Sequence, residues 1–504
     1  MIKLSVPGTG PGSGRRHPGS SGEPVTRPGA PAGVGGTPWA RASLAGWAGL
    51  IVVAFGVGAV LRGAGALPVD AFPPLHAHAR LLMGPLSPAA AAALVAVAVL
   101  PVAARRLPWR PLLAVAWLGS AGWAVVLALP DGVARPLTAP TEYLAGLPAM
   151  GDDPLGWLRG FTGALQAYPT HVKGHPPLPM LILWTTQWTG LGGADRAAAL
   201  VIAAGGSAAA AIAVTVRVLA GEDVARRAVP FLVLAPTAVW VATSMDALFL
   251  GVAAWGVASV AVGAAKPGPL PPGRSSSTVA GRGRRAGPPG WAALASSFAG
   301  GVLLGSLPYL SYGLIPIFAL PLAVLILTRP SRSVLMALAV GCLVVPAAFT
   351  IAGFSWWDGA VGTHAAWAAG AGSRRPYAYF LIGDLAVLAL LIGPVAAQAL
   401  PYALSRAATH VRALPPRPQQ GDGPPHGSGL PDGAALGWLA GAALAGVIAL
   451  DLSGVTRGEV ERIWLPYAAW MTVATAVHRA PVRTLLSTQA ATALLIQALV
   501  RAPW

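Results

Sequence analysis

Stretches of about 20 apolar residues, each long enough to cross the hydrocarbon core of a bilayer, recur along this chain. They fall near 43–65, 84–104, 112–130, 197–217, 228–243, 246–264, 291–309, 311–328, 333–353, 378–400, 434–452, 463–478 and 482–500. No water-soluble core absorbs that much apolar surface from segments of this length. With 55% hydrophobic and 10% charged residues in 504, the chain reads as an all-α polytopic membrane protein with about 13 transmembrane helices.

A further apolar run, 178–193, is short and follows Pro176, Pro177 and Pro179. Counting it as a span would put the basic stretch 265–290 outside, against the positive-inside bias. Read instead as an interfacial or re-entrant helix, it leaves the basic segments on one side: Arg105/Arg106/Arg110, Arg217/Arg226/Arg227, 265–290, Arg329/Arg332, 401–433 and Arg479/Arg483. The threading that results is an integral, multi-pass plasma-membrane protein with a cytoplasmic N-terminus. Its external loop runs from 131 to 196, and the acids gather on that face. The net charge of +17 then reflects membrane orientation and implies no nucleic-acid partner.

Residues 1–42 are rich in Gly, Pro and Ser and read as a disordered cytoplasmic tail. The transmembrane domain takes 43–504, with flexible cytoplasmic loops at 265–290 and 401–433. Cys342 is the sole cysteine and forms no internal disulfide.

The chemistry-bearing residues cluster in four external elements. The 131–196 loop contains "TEYLAGLPAMGDDPLGWLRG" and "YPTHVKGHPPLP", carrying Glu142, Asp152, Asp153, His171, Lys173 and His175. A loop of that length in a compact protein points to function. The second element, "SMDALF", places Asp246 at a helix end. The third, 354–377, holds "FSWWDG" and "SRRPYAY". The fourth, "DLSGVTRGEVERIWLPY", carries Asp451, Arg457, Glu459, Glu461 and Arg462. Ionised groups beside hydrocarbon need partners or a wet cavity. The external carboxylates leave room for a divalent metal, but no cofactor is fixed. The glycine and prolines around His171 and His175 argue against a regular i, i+4 metal pair.

"EY…GHPPLP", followed some 70 residues later by the helix-end aspartate of "SMDALF", resembles the GT-C class of membrane glycosyltransferases. The protein-mannosyltransferase and aminoarabinose-transferase branch is the most similar. "LSG…GEVERIWLP" is similar to the C-terminal part of actinobacterial proteins of that type, and the resemblance covers roughly 112–480. It implies a GT-C-like fold and a polyprenyl-phosphate sugar donor, mannose-like as the first guess. The acceptor would be a lipid, glycan or protein hydroxyl on the non-cytoplasmic face, with membrane lipids as neighbours. Glu142 would be general base, with inversion at the anomeric carbon. Asp246 would join it in the catalytic site, and His171, Asp153 and Glu461 would contact substrate. His175 would line the sugar or fix the loop, while Lys173, Arg457 and Arg462 face phosphate, with Arg374 and Arg375 as further cations.

Each assignment has a plainer counterpart. Glu142 reads equally as a solvated loop acid. Asp152 or Asp153 reads as the N-cap of a helix starting at Pro154, and either competes with Glu142 as base. Asp246 could cap its own helix, Trp356 and Trp357 could be interfacial anchors, and "RGEVER" could be a structural ion-pair cluster. A transporter or flippase for a lipid-linked sugar would also use external carboxylates, but would carry charges deep in several spans. An inactive scaffold for cell-envelope assembly would need none of this chemistry.

Overall fold

The computed structural model describes residues 38–67, 69–242, 244–265, 290–413, 433–479 and 481–503. Most of the expected tail and of the two expected flexible loops lies outside these ranges. The described part of 401–433 begins differently from expectation: residues 401–413 continue the helix Tyr377–Ala413. Residues 38–42 likewise belong to the first helix, Pro38–Gly63.

The protein is an all-α, multi-pass membrane protein. Among the described residues nine helices are long and apolar enough to cross a bilayer: Pro38–Gly63, Ser87–Arg106, Trp109–Ala128, Ala194–Ala220, Asp246–Ala264, Trp291–Leu310, Arg332–Ile351, Tyr377–Ala413 and Ala434–Ser453. Val52, Leu94, Val95, Leu118, Met336 and Leu343 are exposed large apolar residues on these helices, as lipid-facing positions should be.

The other four expected spans are interrupted or more polar. Segment 228–243 is split into Glu222–Val233 and Ala238–Val241, with Pro230 inside the first piece and Pro236 between the two. Segment 311–328 starts as the 3₁₀ turn Tyr312–Phe318 around Pro316 before continuing as Ala319–Thr328. Segment 463–478 is assembled from Val460–Ile463, Leu465–Met471 and a 3₁₀ stretch. Proline removes one backbone donor and clashes with the preceding turn, which explains breaks that hydropathy alone does not report. Helix Val482–Leu499 carries Arg483, Gln489 and Gln497.

The run 178–193 behaves as its prolines suggest. Its helix, Leu178–Trp188, has 11 residues and rises about 16 Å, roughly half of the ~30 Å hydrocarbon thickness. Pro177 is its N-cap and Pro179 lies in its first turn, where proline costs no hydrogen bond.

Two features hold the bundle together closely. Helices Trp291–Leu310 and Arg332–Ile351 meet through glycine: a Cβ on Gly301 would lie 2.3 Å from the Leu338 carbonyl, and one on Gly341 2.2 Å from that of Phe298. Small residues permit this backbone approach where no hydrophobic effect drives helices together. The Tyr377–Ala413 helix is broken at Gly393, whose φ of 72° is left-handed, just before Pro394. The Gln489 side chain spans the break, donating from Nε2 to the Ile392 carbonyl at 3.0 Å and accepting from the Val395 amide at 3.3 Å. Replacing Gln489 by leucine is expected to lower stability by about 1–3 kcal/mol, the cost of leaving buried polar groups unpaired. Thermal unfolding in detergent measures it, and an unchanged midpoint would reject this bridging role.

The loops sort into two ends. At one, Arg226 donates to the carbonyls of Ala104 and Leu107, Arg217 lies 4.6 Å over the Trp109 ring, and Arg227 donates to the Ala476 carbonyl. At the other, the two-residue strands His78–Ala79 and Val500–Arg501 pair antiparallel, and Arg80 pairs with Asp131 at 2.8 Å. Thr363 there donates to the Lys173 carbonyl at 3.0 Å. The second end carries the candidate site.

Candidate functional site

The site end is built around the opening of the 131–196 segment. The His171 amide donates to the Thr141 carbonyl at 2.9 Å, which fixes the "YPTHVKGHPP" knot against Glu142. His171 Nδ1 then lies 2.7 Å from Glu142 Oε1, and both side chains are buried. Both Glu142 oxygens are enclosed, and neither accepts a hydrogen bond of normal angle among the described residues. The 2.7 Å approach is therefore an electrostatic contact, not a well-aligned bond. A carboxylate so placed is costly, and it faces inward, which removes the solvated-loop reading for Glu142.

His175 sits one turn on. Its Nδ1–H donates to the His171 carbonyl at 2.9 Å, and its ring lies 5.6 Å from Tyr143 and 6.0 Å from Phe249. Burial holds its pKa down at about 4, against a smaller pull upward from Asp246. A neutral imidazole with Nδ1 committed to a carbonyl leaves Nε2 as an acceptor. His175 thus fixes the loop. Burial also pushes the Tyr143 hydroxyl well above its usual range, with the Asp246 charge adding to it. The Lys173 side chain is half-buried, and its ammonium has no ion-pair partner among the described residues.

Asp246 is the first residue of its helix, whose N-cap is Met245 with no side-chain cap bond. Capping is not its role. Its carboxylate is buried, accepting from Ser244 at 3.0 Å and from Arg462 at 3.1 Å. Arg462 continues to Glu459 at 2.9 Å, Glu459 to Arg375 at 3.3 Å, and Arg375 to Asp70 at 2.8 Å. His76 Nδ1 lies 3.3 Å from the same Asp70. Carboxylates and guanidiniums alternate through this chain, which is how buried charge is tolerated. Burial alone would raise Glu459, but Arg462, His76 and Arg375 hold it far below the carboxylate range. Burial likewise opposes the charge on Arg375, and Glu459 and Asp70 outweigh it.

Glu459 reaches both arginines because the backbone turns sharply there. Gly458 has φ 72° and Glu459 itself φ 61°, a left-handed conformation rare for a residue with a Cβ and one that clusters at functional sites. Asp384 secures the turn, its carboxylate accepting from the Gly458 amide at 3.2 Å.

Glu461 accepts from the His76 amide at 3.2 Å, while its other oxygen is buried without a partner. Burial pushes its carboxyl up to about 7. Because the folded pKa is raised, its stabilising contribution is full below about pH 4.5 and is lost as pH rises to about 7. The depressed His175 acts oppositely, with stability lost as pH falls from about 6.5 to 4. Each changes stability by about 1.4 kcal/mol per pH unit at most, so the two slopes oppose one another between about pH 4.5 and 6.5. Glu461→Gln is expected to widen its melting-temperature advantage over wild type from pH 5 to 7 and hold it constant above. A pH-independent difference would reject the burial of an ionisable carboxyl here.

Three predicted residues take other roles. Asp153 is exposed and caps the short helix Pro154–Gly160, accepting from the Gly156 amide at 2.8 Å. Asp152, next to it, is exposed too. Arg457 donates to the carbonyls of Gly454, Ser373 and Arg375, and stacks 5.4 Å from both Trp367 and Tyr377. It orders the loop that presents Arg375. Trp356 donates to the Pro308 carbonyl and Trp357 is exposed, as an interfacial anchor would be.

Asp70 and His76 escaped the sequence reading. Their signal was present in "VDAFPPLHAHAR", an acid, two prolines, two histidines and an arginine in one short loop. No group of three or more His, Cys, Asp or Glu positioned to hold a metal occurs among the described residues. Set beside known proteins, the chain matches no family model, no curated sequence and no solved structure.

Proposed function

We propose that this protein is a polyprenyl-phosphate-sugar-dependent glycosyltransferase of GT-C type, transferring a hexose, mannose as first choice, to an acceptor hydroxyl. One observation carries the reading: the Glu142 carboxylate is buried with Oε2 accepting no hydrogen bond and Oε1 facing only the His171 ring at 2.7 Å, within electrostatic reach of Arg462. A group serving only the fold would have its lone pairs filled. A general base needs a free oxygen for the acceptor proton.

In this mechanism Glu142 takes the proton as the acceptor oxygen attacks the anomeric carbon, and the polyprenyl phosphate departs as an anion. Arg462 and Lys173 offset the developing charge. Asp246 holds Arg462 in place. His171 steadies the Glu142 carboxylate, and substrate reaches this buried pair when the 131–196 segment opens. The threading is thirteen crossings, three of them by interrupted helices, in a plasma membrane. The arginine-rich end lies in the cytoplasm and the site on the outer face. The separation of basic and acidic ends supports this orientation.

The break at Gly393–Pro394 favours one rival, a flippase, since transporters use discontinuous helices. Purified protein in nanodiscs, given radiolabelled polyprenyl-phosphate sugars and a lysate acceptor, separates the two. Glycosylated product supports transfer; movement of donor across liposomes with no product for any sugar would reject it.

A further inference from the structure

Three arginines at the basic end are left over by the fold. Arg105 and Arg106 close the helix Ser87–Arg106, Leu107 and Pro108 make the turn, and Arg110 lies in the first turn of Trp109–Ala128. All three are exposed, and none makes a hydrogen bond, ion pair or ring contact among the described residues. Their neighbours are engaged. Arg226 donates to the Ala104 and Leu107 carbonyls at 2.8 and 2.9 Å and shares Glu222 with Arg217. Both of those guanidiniums lie over the Trp109 ring, Arg217 at 4.6 Å and Arg226 at 6.0 Å.

The turn is therefore held without the three arginines. Cations at a helix C-terminus are favourable, but the carbonyls at this one already have Arg226. Arg110 stands at a helix N-terminus, where the dipole disfavours a cation, and its first turn contains no acid. Helix Glu222–Val233 packs on both helices of the turn and brings two acids, Glu222, which is committed, and Asp223, which is exposed. Three positive charges within six residues are thus accompanied by one uncommitted carboxylate. Each arginine also crowns an apolar face. Helix positions 7 or 11 apart lie within about 20° of one another. Arg106 continues the exposed face of Val95 and Val99, Arg105 that of Leu94, and Arg110 that of Trp117. Both helices are long and apolar enough to cross a bilayer, so these faces lie against acyl chains and the arginines reach headgroup level.

We propose that this turn binds an anionic phospholipid of the surrounding bilayer, its headgroup held by Arg105, Arg106 and Arg110 and its acyl chains laid along Val95, Val99 and Trp117. Guanidiniums clustered beside a membrane helix select lipids with net negative charge. A zwitterionic lipid brings its own ammonium, which cancels the charge that the arginines recognise. The bound molecule is a structural lipid, not a reactant: helix Trp109–Ala128 has 20 residues and sets Arg110 about 30 Å from the end where the 131–196 segment begins. Binding at the turn is independent of sugar transfer.

The full chain in detergent is titrated with phosphatidylglycerol or with phosphatidylcholine of the same acyl chains, and retained lipid is counted by native mass spectrometry. Phosphatidylglycerol should bind at least tenfold more tightly. The triple variant Arg105→Gln, Arg106→Gln, Arg110→Gln should lose at least that factor and leave phosphatidylcholine unchanged. Arg110→Gln alone should weaken phosphatidylglycerol about fivefold and, by relieving the helix dipole, keep or raise the melting temperature measured without lipid. It therefore reports on the site even if the triple variant folds poorly. A control removes three exposed arginines from separate helix ends, Arg41→Gln, Arg412→Gln and Arg483→Gln, and should keep wild-type affinity. Equal affinity of the wild type for both lipids, or wild-type affinity in Arg110→Gln, would overturn the site. Equal losses in the control and the turn variant would show diffuse surface charge instead. Glycerol phosphate displacing the lipid at equal concentration would overturn the lipid half and mark a free-anion site.

Discussion

Changing Glu142 to glutamine is expected to slow sugar transfer by about 10²–10⁴-fold, the usual contribution of a positioned general base. Glutamine keeps the shape of the side chain and removes the charge and the basic lone pair. The effect should fall on kcat, with the KM for the polyprenyl donor little changed, because Glu142 acts on the acceptor proton. Folding should survive: the substitution removes a costly buried charge and keeps the side chain's shape beside His171, so thermal stability should hold or rise slightly. Steady-state kinetics with a labelled donor, alongside a melting curve, make the check. Transfer at the wild-type rate by Glu142→Gln would remove it as base and leave Asp246 and Asp70 as the buried acids to examine.

The second large effect is on stability. Arg462 is buried and pairs with both Asp246 and Glu459. Arg462→Met keeps the aliphatic bulk but strands the Asp246 carboxylate and leaves Glu459 with Arg375 alone, and breaking a buried pair from one side costs about 3–5 kcal/mol. Adding Asp246→Asn to Arg462→Met removes one stranded charge, so the double variant should be more stable than Arg462→Met alone. Thermal unfolding of the wild type, both single variants and the double variant completes a cycle. Strict additivity would mean that the Asp246–Arg462 contact carries no coupling.

How much of this was legible beforehand follows from the kind of signal each part leaves. Membrane class was legible because hydropathy is local. The short, proline-led helix in 178–193 was legible because prolines and length are local too. Glu142, His171, Asp246 and Arg462 were visible as charges in a greasy chain, and alternation of spans put them at one end. Partner choice was not visible. Asp70 and Arg375 are separated by 305 positions and Asp246 and Arg462 by 216; nothing in either neighbourhood says which arginine meets which acid. Arg457 shows the same limit, since its sequence context does not tell that backbone carbonyls, not an anion, occupy its donors. The proline-split segments 228–243 and 311–328 were read as uninterrupted spans because average hydropathy hides a break that conserves apolar content.

The alternating chain of charges also has a history during synthesis. Asp246 is made 216 residues before the arginine that neutralises it. An acid at the end of a membrane helix is costly without a partner, so the earlier helices enter the membrane with an unneutralised acid at that end. Settling of Asp246 and Asp70 must wait for Arg375, Glu459 and Arg462 to arrive. Neutralisation of Asp246 is thus tied to the arrival of the late segment that carries Arg462 and packs against the Asp246–Ala264 and Ala434–Ser453 helices.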